Sequence, residues 1–121
     1  MTEIEALQIK PLVLAYIGDG VYELYVRNDL LRKPYRDAHD LHQKAVPFVR
    51  AGGQADILRR LSEELTEKEA DVVRRGRNAH ANTIPKNADV QTYHLATGFE
   101  ALIGFLHLTG QTERLQYILE K

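Results

Sequence analysis

Two long stretches of this sequence are apolar enough that they must pack against something, and each carries one carboxylate. Between Lys10 and Glu23 runs PLVLAYIGDGVY, in which Asp19 is the only acid. Between Asp89 and Glu113 runs VQTYHLATGFEALIGFLHLTGQT, in which Glu100 stands alone. An ionised carboxylate on a buried surface costs several kcal/mol unless a base, a hydrogen-bond network or a metal offsets it. Two such residues in two core-forming segments point to one shared polar site. That site is either a structural ion pair or a metal centre.

Local signals favour an all-helical chain. Pro11 stands where a first-turn proline belongs and opens a helix to about Leu31. Pro34 closes the connection that follows, and Asp37 can cap the next helix. Pro47 should kink or split that helix, and Ala51-Gly52-Gly53 reads as a break before a short helix to about Leu61. Thr66-Glu67-Lys68-Glu69 is a capping box opening a helix to about Asn78. Thr109-Gly110 closes the long apolar helix, and Thr112 can cap a short final one.

One segment has two readings. LVLAYI-GDG-VYELYV resembles two β-rich strands joined by a Gly-Asp-Gly turn, and each glycine inside a helix costs about 0.5–1 kcal/mol relative to alanine. As a helix, the same segment puts Asp19 and Glu23 one turn apart. Gly18 and Gly20 then become places where a partner backbone approaches Asp19, with Gly104 in the same role beside Glu100.

At 121 residues the chain has the length of one domain, so residues 1–121 are expected to form a single unit. It contains no cysteine, which excludes a disulfide framework, a zinc ribbon and a thiol nucleophile. Its amino-terminal stretch TEIEALQIK is acidic and amphipathic, unlike a secretory leader, and the apolar runs are too interrupted to span a bilayer. A cytoplasmic setting and no membrane partner are the expectation. The formal net charge of −1 argues against a protein that coats nucleic acid, but the charge is unevenly spread. Acid collects in SEELTEKEAD (62–71), whereas VVRRGRNAHANTIPKN (72–87) holds Arg74, Arg75, Arg77 and Lys86 with no acid. Such a face can hold a phosphate backbone.

If both apolar stretches are helices, Asp19 and Glu100 can meet. Carboxylate oxygens are the hard ligands that Mg²⁺ and Mn²⁺ prefer, and Mg²⁺ is often held by only one or two of them plus water and substrate phosphate. The plainer alternative pairs Asp19 or Glu100 with an arginine such as Arg27 or Arg74. His39 and His42, three residues apart, lack a third ligand in the sequence pattern. Glu23 reads as a surface or salt-bridged residue.

Ala15-Tyr16-Ile17-Gly18-Asp19-Gly20-Val21 resembles the ribonuclease III motif E-x-L-G-D-x-[VA]-L. Thr97-Gly98-Phe99-Glu100-Ala101-Leu102-Ile103-Gly104 resembles its second motif, D-x-[FV]-E-A-L-I-G. The Leu41-to-Leu61 segment takes the place of that domain's middle helices. The length, the lack of an appended double-stranded RNA-binding domain and the tract RRGRNA…PKNADVQTY resemble the Mini-ribonuclease III branch. The resemblance implies the all-α ribonuclease III endonuclease-domain fold, with Asp19 and Glu100 as metal ligands and catalytic residues. It also implies Mg²⁺ as cofactor, replaceable by Mn²⁺. Two departures stand out, because the family's four acids fall at positions 15, 19, 97 and 100, where this chain has Ala15, Asp19, Thr97 and Glu100; the further acid sometimes found three residues earlier is Leu12.

The implied activity is metal-dependent hydrolysis of phosphodiesters in double-stranded RNA by a homodimer, with large-subunit precursor ribosomal RNA as the substrate. Duplex RNA is recognised by shape through phosphate and 2′-hydroxyl contacts. Without a separate binding domain, Arg74, Arg77, Asn78, Lys86 and Asn87 are the expected RNA contacts, while Arg75 reads as a solvated helix face. Tyr93 and His94 suit core or cap roles as well as base stacking. The alternative is a non-catalytic dimeric RNA-binding protein derived from the same domain, consistent with Ala15 and Thr97.

Overall fold

The computed structural model describes residues 1–79 and 89–121. In chain order the helices are α1 (Glu3–Leu7), α2 (Pro11–Leu30), α3 (Ala38–Val49), α4 (Ala51–Leu61), α5 (Glu67–Asn78), α6 (Val90–Leu108) and α7 (Thr112–Leu119). No strand occurs among the described residues, so the all-α expectation holds.

The segment with two readings is one continuous helix, α2. Leu14, Gly18, Tyr22, Val26 and Leu30 are buried along it at every fourth position, a single stripe facing the core. In strands alternate residues share a face, so a hairpin burying this set would bury Tyr16 and Leu24 as well, and these are 78% and 60% exposed. Packing of the stripe on α6 outweighs the helix cost of the glycines. Helix α6 is the centre of the fold: Ala96 to Phe99 and Ala101 to Leu106 are all buried, and α2, α4 and α5 lie against it. A helix that is apolar all round belongs in a core. Phe99 and Tyr22 meet edge to face with ring centroids 5.3 Å apart, which pins α2 to α6 beyond area burial alone.

Local chemistry sets most helix ends as read. The Thr66–Glu69 capping box is formed in both directions, and Asp37 accepts from the Asp40 backbone N–H at 2.8 Å. A second capping box, Thr2 with Glu5, starts α1. Three local features differ from expectation. The break before α4 is Arg50 alone, extended at ψ 158°, and Ala51-Gly52-Gly53 forms the first turn of α4. Pro47 is accommodated in the last turn of α3 rather than splitting it. The tight join requires Gly53, because a Cβ there would lie 2.5 Å from the Pro47 carbonyl oxygen. At the other end, Gly110 takes φ +70° and the Gln111 N–H reaches back to the Leu106 carbonyl at 3.0 Å. That closure makes Gln111 the N-cap of α7 and places Thr112 inside the helix.

Candidate active site

The α2–α6 crossing is close enough to bring backbone to backbone. A Cβ on Gly18 would lie 1.7 Å from the Glu100 carbonyl oxygen, and one on Gly104 would lie 2.0 Å from the Leu14 carbonyl oxygen. Gly20 does not share this role: it is exposed, with open space where its side chain would go. The expected close approach therefore rests on Gly18 and Gly104.

The crossing sets Asp19 beside Glu100 at a cleft of about 370 Å³. Leu12, Ala15, Asp19, Thr97 and Glu100 all line it, so the positions that the two motifs mark converge on one place. Val49, Ala51 and Gln54 close it from the α3–α4 side, with Tyr93 and Ala96 from α6. Ala15 and Thr97 contribute no carboxylate, and the Thr97 hydroxyl donates back to the Tyr93 carbonyl at 3.0 Å. Tyr16 stands on the rim, 78% exposed.

The two acids are not equivalent. Asp19 is exposed on the open side of α2, contrary to the expectation that both lie on buried surface; Glu100 is half-buried on the core helix. Burial pushes the Glu100 carboxyl up to about 8, helped by the hydrogen bond its protonated form makes to Asp19 and by the Asp19 charge. The amide Nε2 of Gln54 donates to Glu100 Oε2 at 3.5 Å and works weakly in the opposite direction. Among the described residues no arginine answers either acid: Arg27 pairs with Glu23 at 3.3 Å, and Arg74 pairs with Asp71. Both ion pairs are one helical turn long and exposed.

A carboxylate pair that holds a proton near neutral pH is suited to exchange it for a divalent cation. Among the described residues no group of three or more His, Cys, Asp or Glu side chains is placed to hold a metal. Asp19 and Glu100 therefore suit an ion such as Mg²⁺, which takes few protein ligands and fills its shell with water or phosphate, and they do not make an all-protein cage. His39 and His42 are exposed on α3.

Of the expected RNA contacts, Arg74, Arg77 and Asn78 are exposed on the last turns of α5. Arg77 and Asn78 line a surface hollow together with Val90, Gln91, His94 and Leu95 of α6. Arg75 is half-buried rather than fully solvated. Lys86 and Asn87 lie outside the described residues. Sequence reasoning passed over Gln54 as a site residue. Its signal was present, because Gln54 occupies the same buried row of α4 as Ile57, Leu58 and Leu61, where a polar side chain needs a reason.

The Ribonuclease III domain family model matches residues 12–111, a span that contains every residue lining the cleft. The chain belongs to the ribonuclease III family. Its relatives place it in the Mini-ribonuclease 3 branch. A Mini-ribonuclease 3 from Thermoanaerobacter sp. (strain X514) is 48% identical over 120 residues, spanning 99% of this chain and 84% of the relative. Another from Symbiobacterium thermophilum is 52% identical over 114 residues, spanning 94% of this chain and 88% of the relative. A crystal structure of a protein from Fusobacterium nucleatum superposes with a TM-score of 0.87 at 28% identity, covering 99% of this chain and 94% of that one. The fold is that of the ribonuclease III endonuclease domain, and the chemistry of the class is that of a ribonuclease III-type endoribonuclease. No helix among the described residues is long and apolar enough to cross a membrane.

Proposed function

We propose that the protein is a Mg²⁺-dependent endoribonuclease that hydrolyses phosphodiesters of double-stranded RNA, with Asp19 and Glu100 as its metal-holding and catalytic pair. The observation that carries this reading is the meeting of those two carboxylates at one cleft, with no basic side chain among the described residues paired to either. A Mg²⁺ or Mn²⁺ ion there would neutralise phosphodiester charge and promote attack by water. Asp19, on the open side, meets solvent and substrate, while Glu100 is anchored in the rigid core helix. In-line attack of water at phosphorus opposite the 3′-oxygen breaks the P–O3′ bond and leaves a 5′-phosphate and a 3′-hydroxyl. Arg74, Arg77, Asn78, Lys86 and Asn87 hold the RNA backbone, so residues 1–121 serve as catalytic domain and binding surface together.

In this reading the protein acts in the cytoplasm as a homodimer, each copy cutting one strand, and matures large-subunit precursor ribosomal RNA. Val13 and Tyr16 are exposed on α2 beside the half-buried Ile17, an apolar surface suited to a second copy. The replacement of two family acids by Ala15 and Thr97 favours one competing reading, a dimer that binds RNA without cutting it. A single experiment separates them: perfect duplex RNA is incubated with the purified protein, with and without Mg²⁺, beside Asp19→Asn and Glu100→Gln. Mg²⁺-dependent cleavage by the parent protein, lost in both variants while duplex binding persists, is the expected result. Binding without product at any Mg²⁺ or Mn²⁺ concentration supports the non-catalytic reading. Parental turnover in either variant overturns the site assignment.

A further inference from the structure

Four polar side chains in the described structure are buried: Asp40, Gln54, Glu69 and Thr97. Three have close partners. Asp40 takes Lys44 at 3.0 Å, Glu69 takes Arg114 at 2.8 Å, and Thr97 donates to the Tyr93 carbonyl. Gln54 differs. It is 2% exposed, and its hydrogen bond runs to Glu100 at 3.5 Å, the long limit for such a contact. Burying an amide for so weak a bond costs about 1–3 kcal/mol relative to an apolar residue of the same shape. In the row it shares with Ile57 and Leu58, a methionine would fill the space without that cost. The glutamine is thus a poor choice for stability and a specific one for the cleft it lines.

Its chemistry matches the deficit at the site. The amide is neutral, donates from nitrogen and presents a hard carbonyl oxygen. It comes from α4, a helix that reaches the carboxylate pair from a different direction than α2 or α6. We infer that Gln54 is a positioning residue of the active site, orienting the Glu100 carboxyl for the cation and holding the protein's charge there at two carboxylates. The inference rests on the reading of Asp19 and Glu100 given above. It predicts that Gln54 governs how tightly the free protein holds a divalent cation, and how fast bound RNA is cut rather than how well it is bound.

The test uses three variants of the full chain: Gln54→Met, Gln54→Glu and Glu100→Gln. Mn²⁺ binding is measured without RNA by electron paramagnetic resonance, and kcat and KM are measured on duplex RNA at saturating Mg²⁺. Gln54→Met should weaken Mn²⁺ binding and lower kcat by about 10–100-fold, the usual effect of losing a partner that orients a ligand, with KM unchanged. Gln54→Glu adds a third carboxylate and should tighten Mn²⁺ binding by about tenfold or more. Gln54→Glu also keeps the question open to test if Gln54→Met folds poorly. Parental Mn²⁺ affinity in both Gln54 variants, with kcat following only the folded fraction, overturns the inference and leaves Gln54 a packing residue. If Glu100→Gln itself binds Mn²⁺ and turns over as the parent does, the reading of the site falls, whatever the Gln54 variants do.

Discussion

Glu69 and Glu100 are both glutamates, one on α5 and the other on the core helix α6 that α5 packs against, and their surroundings treat them in opposite ways. Glu69, on α5, is only 4% exposed, less than Glu100, yet its carboxyl lies below the usual range. Burial pushes it up, but Arg114 and Thr66 together more than reverse this: Nε and Nη2 of Arg114 donate to its two oxygens, both at 2.8 Å, and the Thr66 backbone adds a further bond. Glu100 has burial and a neighbouring acid without a cation among the described residues, and its carboxyl rises to about 8. A fold that needs a buried acid for structure supplies an arginine in a fork geometry. Where it supplies a second carboxylate instead, stability gives way to chemistry.

The comparison breaks most sharply in activity. Asp19→Asn and Glu100→Gln should each cut turnover on duplex RNA by at least about a hundredfold, measured under single-turnover conditions. Glu69→Gln should leave turnover per folded molecule unchanged, and a comparable loss there would erase the distinction between the two glutamates.

Next in size is stability. Arg114→Met strands the Glu69 carboxylate in the protein and should cost about 3 kcal/mol, read from the shift of the urea midpoint. Glu100→Gln removes a half-buried acid with no cationic partner among the described residues and should be neutral or stabilising in the absence of divalent ions. A large loss in that variant would mean that Glu100 is structural after all.

A third pair tests the crossing that brings the carboxylates together. Gly18→Ala should destabilise by about 1–3 kcal/mol, because its Cβ meets backbone rather than a movable side chain. Gly20→Ala, with open space around it, should stabilise by about 0.5–1 kcal/mol if only helix propensity counts. Equal effects from the two would show that the close contact is not what sets the helices' spacing.

The smallest expected effect is the pH trend, and it has opposite signs for the two glutamates. The folded protein keeps the Glu100 proton up to about pH 8, whereas an unfolded chain loses it near 4.5. The folded state thus binds more protons between those values, and the contribution of this group is full below about 4.5 and lost as pH rises through 8. Melts in chelator should show the parent losing a few degrees relative to Glu100→Gln between pH 5 and pH 9. Mn²⁺ should recover more stability at pH 9 than at pH 6, since it competes with the proton. Glu69, held below its ordinary value, stabilises above about 4.5 and loses that contribution as pH falls through its folded value. The parent's advantage over Glu69→Gln should shrink in acid, and a parallel trend for both glutamates would contradict the contrast.

These differences mark how far the sequence could be read. The isolation of Asp19 and Glu100 in apolar stretches is visible without any structure, and so are the capping box at Thr66, the first-turn Pro11 and the stop at Gly110. The Gly-Asp-Gly segment is locally ambiguous, and only the stripe at every fourth residue, packed on α6, resolves it. Glu69 sits in a run of acids, where the capping box marks it as a helix-start residue but nothing local shows that it is buried against an arginine. Its partner is 45 residues away in sequence, and the contact of Gln54 with Glu100 spans 46.

The sequence by itself determined the helical class, most of the helix ends and the identity of the two carboxylates, because caps, prolines and apolar periodicity act within a turn or two of the chain. Only the tertiary structure decided which acid is exposed, which glycine touches backbone, which glutamate receives an arginine and which glutamine faces the cleft. Those outcomes depend on which helix covers which face, and long-range packing sets the solvation and charge that each side chain meets.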